Sequence, residues 1–160
     1  MPAAPTPDRF HEAMAALPTG VTVVSAPGPD GPVGATANAV TSLSLEPPLM
    51  LAALDKGSRT LAAIRDERRF GVSVLGAGQE AVARAFATKA PHAEKWTDVP
   101  AHDHDGVPIV GGGPAWVACE LDSTHDGGDH AILIGTVLAL DAPGGEPLIF
   151  HGGRYLSLRG

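Results

Sequence analysis

The chain has 160 residues, 44% hydrophobic and 18% charged, with a formal net charge of −7, which suits one domain over 1–160 with its own core. The negative charge argues against nucleic acid or an anionic membrane as partner, and the single Cys119 excludes an intramolecular disulfide and suits a reducing compartment. No leader-like segment and no apolar run long enough to span a bilayer are present, so the expectation is a cytoplasmic protein.

From the N-terminus, "PTPDRFHEAMAALPTG" predicts a short helix capped by Thr6, with Phe10, Met14 and Leu17 along one face. "VTVVSA" at 21–26 is a strand, "PGPDGP" a turn, and "GATANAVTSLSLEPPLML" at 34–51 continues as a second strand of a hairpin. "LMLAALD" is apolar enough for an interior strand, and "KGSRTLAAIRDERR" is a loop entering a helix with Ser58 as N-cap. "FGVSVL" is a strand, and "AGQEAVARAFATKA" a helix with Ala81, Val82, Ala85 and Phe86 as its apolar face. From Pro91 to Pro108 the text reads as a polar surface excursion. "AWVACELDSTHDG" and "DHAILIGTVLALD" are long strands joined at Gly127–Gly128, and "PLIFHGG" is a last strand running into "RYLSLRG". Strands linked by tight turns, with two or three short helices, favour a mainly β protein whose antiparallel sheet closes into a barrel.

Four constellations carry possible chemistry. In "GATANAVTSLSL", Thr36, Asn38, Ser42 and Ser44 alternate onto one strand face that bears hydroxyls and an amide but no charge. Such a face can read the edge of a heterocycle, or it is a mildly polar exterior. Lys56, Gly57, Ser58, Arg59 and Thr60 enter a helix with free N–H groups, hydroxyls and two cations, a phosphate-type turn or an ordinary cap. The histidines of "HDHD" at 102–105, with His125 and His130, lack the spacing of a zinc helix, so no metal is expected. "GGDH" delivers His130 to a strand start, where its imidazole can donate to a ligand. Arg154 and Tyr155 follow small residues near the C-terminus and either approach another surface or anchor the chain end. Rossmann, Walker and nucleophile-elbow motifs are absent from the sequence.

In combination, "LPTGVTVVSA", "GATANAVTSLSLEPPLMLAALDKGSRT", "FGVSVLGAGQEAVARAFA", "GGDHAILIGTV" and "PLIFHGGRY" resemble the flavin reductase-like family, small NAD(P)H:flavin oxidoreductases with the FMN-binding split-barrel fold. The resemblance implies a split-barrel homodimer with flavin, FMN or FAD, near the interface and NADH or NADPH as hydride donor. It implies that Thr36, Ala37, Asn38 and Ala39, with Ser42 and Ser44, contact the isoalloxazine and ribityl portion. Leu54, Asp55, Ser58 and Thr60 surround the ribityl–phosphate portion, and Phe86 and Lys89 border its phosphate end. His130 is similar to the family's histidine beside the nicotinamide, with Arg154 and Tyr155 closing the other side. Many relatives carry Ser at the place of Ala39 and Asn at the place of Ser73, which leaves the flavin-side hydrogen bonding of that strand open. The implied activity is hydride transfer to flavin N5, with reduced flavin passing to a separate flavin-dependent monooxygenase. Alternative readings of the same barrel are a pyridoxamine-phosphate-oxidase-like enzyme and a non-catalytic flavin- or haem-related binding protein.

Overall fold

The computed structural model describes residues 1–2 and 4–159, and the short apolar runs of the sequence become strands of one large sheet. Seven strands pair antiparallel in the order β3 (Val33–Ala37), β2 (Thr22–Ala26), β6 (Arg69–Val74), β9 (Ala115–Gly127), β10 (His130–Asp141), β5 (Pro48–Asp55) and β4 (Val40–Leu45). The two edge strands, β3 and β4, follow one another in the chain and are separated only by Asn38 and Ala39. The sheet therefore curls until its edges meet at that corner, where the Ala53 N–H donates to the Ala39 carbonyl at 2.9 Å. Beyond the corner β3 and β4 do not pair, so the barrel is split rather than closed.

Inside the curl, Val24, Phe70, Val72 and Leu133 meet Leu61 and Ile64 of α2 (Arg59–Glu67). Each such fully buried side chain contributes roughly 1.5–3 kcal/mol. Ser58 starts α2 by accepting the Leu61 N–H at 3.3 Å, and Arg68 ends it in the left-handed region. A second cluster holds Val21, Leu75, Ala83, Phe86 and Leu148 beneath α3 (Glu80–Phe86). The buried face of α3 is Ala83 and Phe86, with Val82 and Ala85 half-buried; Ala81, expected inward, is exposed.

Two expectations change. The segment 91–108 is not an irregular excursion: it forms α4 (His92–Lys95) and the hairpin of β7 (Ala101–His104) and β8 (Val107–Val110), and all of β8 is buried. Asp105 and Gly106 both have positive φ, the backbone of a tight Asp-Gly hairpin turn, and "VPIV" supplies the apolar strand that fills the space under β6. Also, α1 (Pro7–Ala15) is capped by Thr6 as expected, but it buries no residue, and Phe10, Met14 and Leu17 stay exposed on the protomer. A three-stranded sheet of β1 (Thr19–Gly20), β11 (Ile149–His151) and β12 (Arg154–Leu156) stands beside it. Among the described residues no helix is long and apolar enough to cross a membrane.

Candidate functional site

The corner between β3 and β4 opens onto a cleft of about 320 Å³ lined by residues 35–39, 53–55, Ser58 and His130. Each wall has a local cause. β3 is held from behind because Gly34 has no Cβ: one built there would sit 2.8 Å from the Phe86 ring. The Thr36 hydroxyl donates to the Ala83 carbonyl at 2.6 Å, and the Thr22 hydroxyl donates to the Ala37 carbonyl at 2.6 Å. The strand thus presents to the cleft mainly small side chains and backbone. At Asn38 and Ala39 the ladder stops, and among the described residues neither N–H donates to another protein group. These are free donors on an exposed, uncharged wall.

The opposite wall comes from register. His130, the first residue of β10, pairs with Asp55, the last of β5, so the "GGDH" turn delivers the imidazole beside the start of the helix turn. The Asp129 carboxylate lies 2.7 Å from His130 Nδ1, and this hydrogen bond holds the Asp129 carboxyl below the usual carboxylate range. With Nδ1 held, Nε2 is the ring atom left for a ligand. The Lys56 N–H donates to the Asp129 carbonyl at 3.0 Å, which fastens the hairpin to the turn. The Asp55 carboxylate accepts the Gly57 N–H at 2.7 Å. Ser58 accepts as N-cap, so its own O–H remains free to donate.

The structure therefore brings together Thr36, Ala37, Asn38, Ala39, Leu54, Asp55, Ser58 and His130, and adds Ala35 and Ala53 to the wall. The register of β5 against the corner places Ala53 there, a pairing that sequence alternation alone does not reveal. Ser42 and Ser44 do not continue the row of Thr36 and Asn38. The strand breaks at 38–39 and β4 carries a bulge between Ser42 and Ser44, so the period-two pattern is reset twice. Thr60 is 1% exposed, its hydroxyl closed in and unpaired, and Phe86 is 1% exposed with its ring edge-on to Trp96 at 5.0 Å. Both support the walls from inside in this conformation. Lys89 is exposed, and its carbonyl accepts from Arg59 Nη2 at 3.3 Å. Lys56 is not a free cation, since its ammonium pairs with Asp126.

Arg154 and Tyr155 lie outside the cleft of the same protomer. Tyr155 packs on Phe150, ring centroids 5.2 Å apart, with the Arg84 guanidinium 5.0 Å from its ring centre. Ser73 is fully buried and accepts the Val110 N–H at 3.0 Å, so its hydroxyl serves the β6–β8 contact and not the cleft. His102 and His104 stand against Trp116 at 5.3 and 5.2 Å. Burial pushes the Cys119 thiol up to about 12, which leaves it inert as a nucleophile.

The cleft fits a flat, hydrogen-bonding, partly anionic ligand: free N–H donors and small side chains on one wall, a hydroxyl at a helix start below, an imidazole on the rim. Comparison with known proteins bears on what that ligand is. The family model of the flavin reductase like domain matches residues 14–159. An FMN reductase (NADH) of Agrobacterium fabrum is 39% identical over 146 residues, covering 91% of this chain and 83% of that one. An NADH-dependent FAD reductase of Streptomyces globisporus is 39% identical over 144 residues, 87% of this chain and 79% of that one. Among solved structures, the NADH:FAD oxidoreductase of Streptomyces globisporus with NAD and FAD fragments superposes with a TM-score of 0.88 at 34% identity, covering 97% of this chain and 96% of that one. The flavin reductase component of a bacterial two-component tryptophan halogenase gives 0.89 at 31% identity, covering 96% and 98%.

Proposed function

The chain belongs to the flavin reductase-like domain family, and on that premise we propose that it reduces FMN or FAD with NADH or NADPH and supplies reduced flavin to a separate flavin-dependent monooxygenase. The observation that carries this reading is the cleft itself, in which an uncharged wall with free backbone donors faces a histidine rim above a phosphate-type turn. Bound flavin supplies the hydride acceptor, N5 of its ring. Catalysis is then a matter of holding two flat rings face to face, which needs no protein nucleophile.

The chain's residues divide that task. Thr36, Ala37, Asn38 and Ala39 line the ring and ribityl portion, and the N–H groups of Asn38 and Ala39 point donors at the edge where negative charge develops on reduction. Leu54, Asp55 and Ser58 hold the ribityl–phosphate portion, with the Ser58 O–H and the first N–H groups of α2 toward phosphate. His130, kept in one orientation by Asp129, positions the nicotinamide rather than transferring a proton. The test is NADH and NADPH oxidation with added FMN, FAD and riboflavin. Acceleration above free flavin supports the reading, and its absence with every flavin removes it.

The active form is a homodimer in this reading. Leu43 and Leu45 on β4 and Leu138 and Leu140 on β10 lie toward the same end of the sheet, and Leu45 is 92% exposed. A patch of this kind on a protomer marks an association surface. A Leu45→Glu variant is expected to shift the chain from dimer to monomer in light scattering; an unchanged mass would place the interface elsewhere.

A further inference from the structure

The turn that carries His130 is held from outside. Gly127 and Gly128 stand between Asp126 and Asp129 at the tip of the β9–β10 hairpin, and Gly128 has a φ of 80°. Two successive glycines permit many backbone directions. The pairing of His130 with Gly127 therefore leaves the direction of the imidazole to be fixed by other contacts.

Lys56 meets this tip twice. Its N–H donates to the Asp129 carbonyl at 3.0 Å, and its ammonium pairs with the Asp126 carboxylate. One residue thus grips both sides of the glycine pair, and it does so directly after Asp55, the cleft residue opposite His130. The Asp126 carboxyl is held below the usual carboxylate range, first by the hydrogen bond from Lys56, then by the Gly128 N–H, then by the Lys56 charge. Asp126 therefore closes its own turn as well as the link to Lys56.

Charge makes the arrangement selective. The Asp129 carboxylate lies 2.7 Å from His130 Nδ1, and the Lys56 charge also reaches that carboxylate. A carboxylate only accepts, so Nδ1 carries the proton. An ammonium released from Asp126 is drawn to Asp129 and competes there with the imidazole. Arg59 has no share in this, since it lines a separate groove between α2, α4 and the 29–33 turn. Both members of the Lys56–Asp126 pair are exposed, and such pairs add little to stability. The consequence of this one is positional.

We propose that Lys56 and Asp126 are positioning residues for the reduction: their ion pair aligns the glycine turn and reserves the Asp129 carboxylate for His130, which sets the imidazole against the nicotinamide. This rests on the flavin-reduction reading above and deepens it, because nicotinamide binding is then governed by two residues that do not line the cleft.

The test uses the full chain as wild type, Lys56→Met, Asp126→Asn and the double variant. NADH oxidation is measured at saturating flavin, and flavin Kd by fluorescence titration. The imidazole ¹⁵N spectrum is recorded at about pH 8, where an unperturbed imidazole is neutral, with His130 assigned against His130→Ala. Each single variant is expected to raise the KM for NADH about fivefold, with kcat and flavin Kd within about twofold. The double variant is expected to match the singles, since either change breaks the same pair. His130 is expected to be protonated at Nδ1 in the wild type and to move toward the Nε2-protonated form in Asp126→Asn. Unchanged KM in both singles overturns the proposal, and so do single effects that multiply in the double variant. A loss of flavin affinity matching the rise in KM also overturns it, since the pair then shapes the flavin cleft instead. An unmoved His130 signal in Asp126→Asn overturns it without any turnover being measured. If the wild type accelerates NADH oxidation with no flavin, the reduction reading falls separately, and the spectrum alone judges whether the pair aligns His130.

Discussion

The cleft and the groove flank the same turn, 56–60, yet they are built from different materials. The cleft is made by strand register: His130 opposite Asp55, Ala53 tied to Ala39, Thr36 and Thr22 hydrogen-bonded into neighbouring backbone. Its side chains are small and mostly neutral, and what it offers a ligand is backbone. The groove, about 710 Å³ between α2, α4 and the 29–33 turn, is made by helix faces and long side chains, with Arg59, Asp30 and Asp66 on its walls and His92 held uncharged by burial. A wall formed by sheet hydrogen bonds is fixed by the ladder, whereas one formed by long side chains on helix faces is fixed by their individual partners, here the Lys89 and Ala90 carbonyls that accept from Arg59.

The largest test of that contrast is Phe86→Ala, which removes the ring seated on Gly34 behind β3. It is expected to cost about 3–5 kcal/mol in urea unfolding and to weaken both flavins, because the cleft wall loses its backing. A loss near zero would mean that β3 stands without α3. Next, Thr36→Val removes the hydroxyl that donates to the Ala83 carbonyl, which keeps the Ala87 N–H, and is expected to cost about 0.5–1.5 kcal/mol of stability. Flavin affinity should then drop far less than stability, since Thr36 offers the cleft backbone rather than hydroxyl. A selective loss of flavin binding at full stability would reverse that assignment. His130→Ala is expected to raise the KM for NADH about tenfold, roughly 1.4 kcal/mol, with flavin Kd unchanged. Collapse of flavin affinity with an unmoved KM would put His130 on the flavin instead.

The smallest effect belongs to the groove and is read as pH dependence. His92 is held down to about 4 by burial, then by Lys95 and Arg59, from an ordinary value of 6.5. Between those values the unfolded chain binds the proton and the folded chain does not, so stability falls as pH drops from about 6.5 toward 4. The Gly34 N–H, which donates to His92 Nδ1 at 3.3 Å, loses its acceptor in the same step. His92→Asn is expected to flatten the fall of Tm across this window; an identical profile would show that another group governs it.

Much of this was legible in the residues. The caps at Thr6 and Ser58 follow from side-chain chemistry within three residues, and the Gly-Gly-Asp-His turn follows from local backbone preference. The resemblance implies residues 36–39, 54, 55, 58 and 130 around the flavin, and in the structure these residues line one cavity. What was not legible depends on partners distant in sequence. Alternation along 34–45 implies one continuous polar face, but closing the sheet requires a corner at Asn38–Ala39, and past that corner and the β4 bulge Ser42 and Ser44 do not line the cleft. Lys56 looked like a phosphate cation until Asp126, on the long hairpin, claimed it. Phe86 had the amphipathic spacing of a helix face, and only Gly34 decided how deep it sits.

The sequence by itself determined the local pieces: strands from period-two apolar runs, turns from Gly, Pro and Asp, helix starts from hydroxyl caps, and the set of small uncharged residues that a flat ligand needs. Only the tertiary structure decided that the N–H groups of Asn38 and Ala39 stay unpaired, that Lys56 is paired with Asp126, and that α2, α4 and the 29–33 turn enclose a second groove. Local signals act over a few bonds and survive in any context. Burial and charge pairing are settled by whichever distant segment the closing sheet brings alongside.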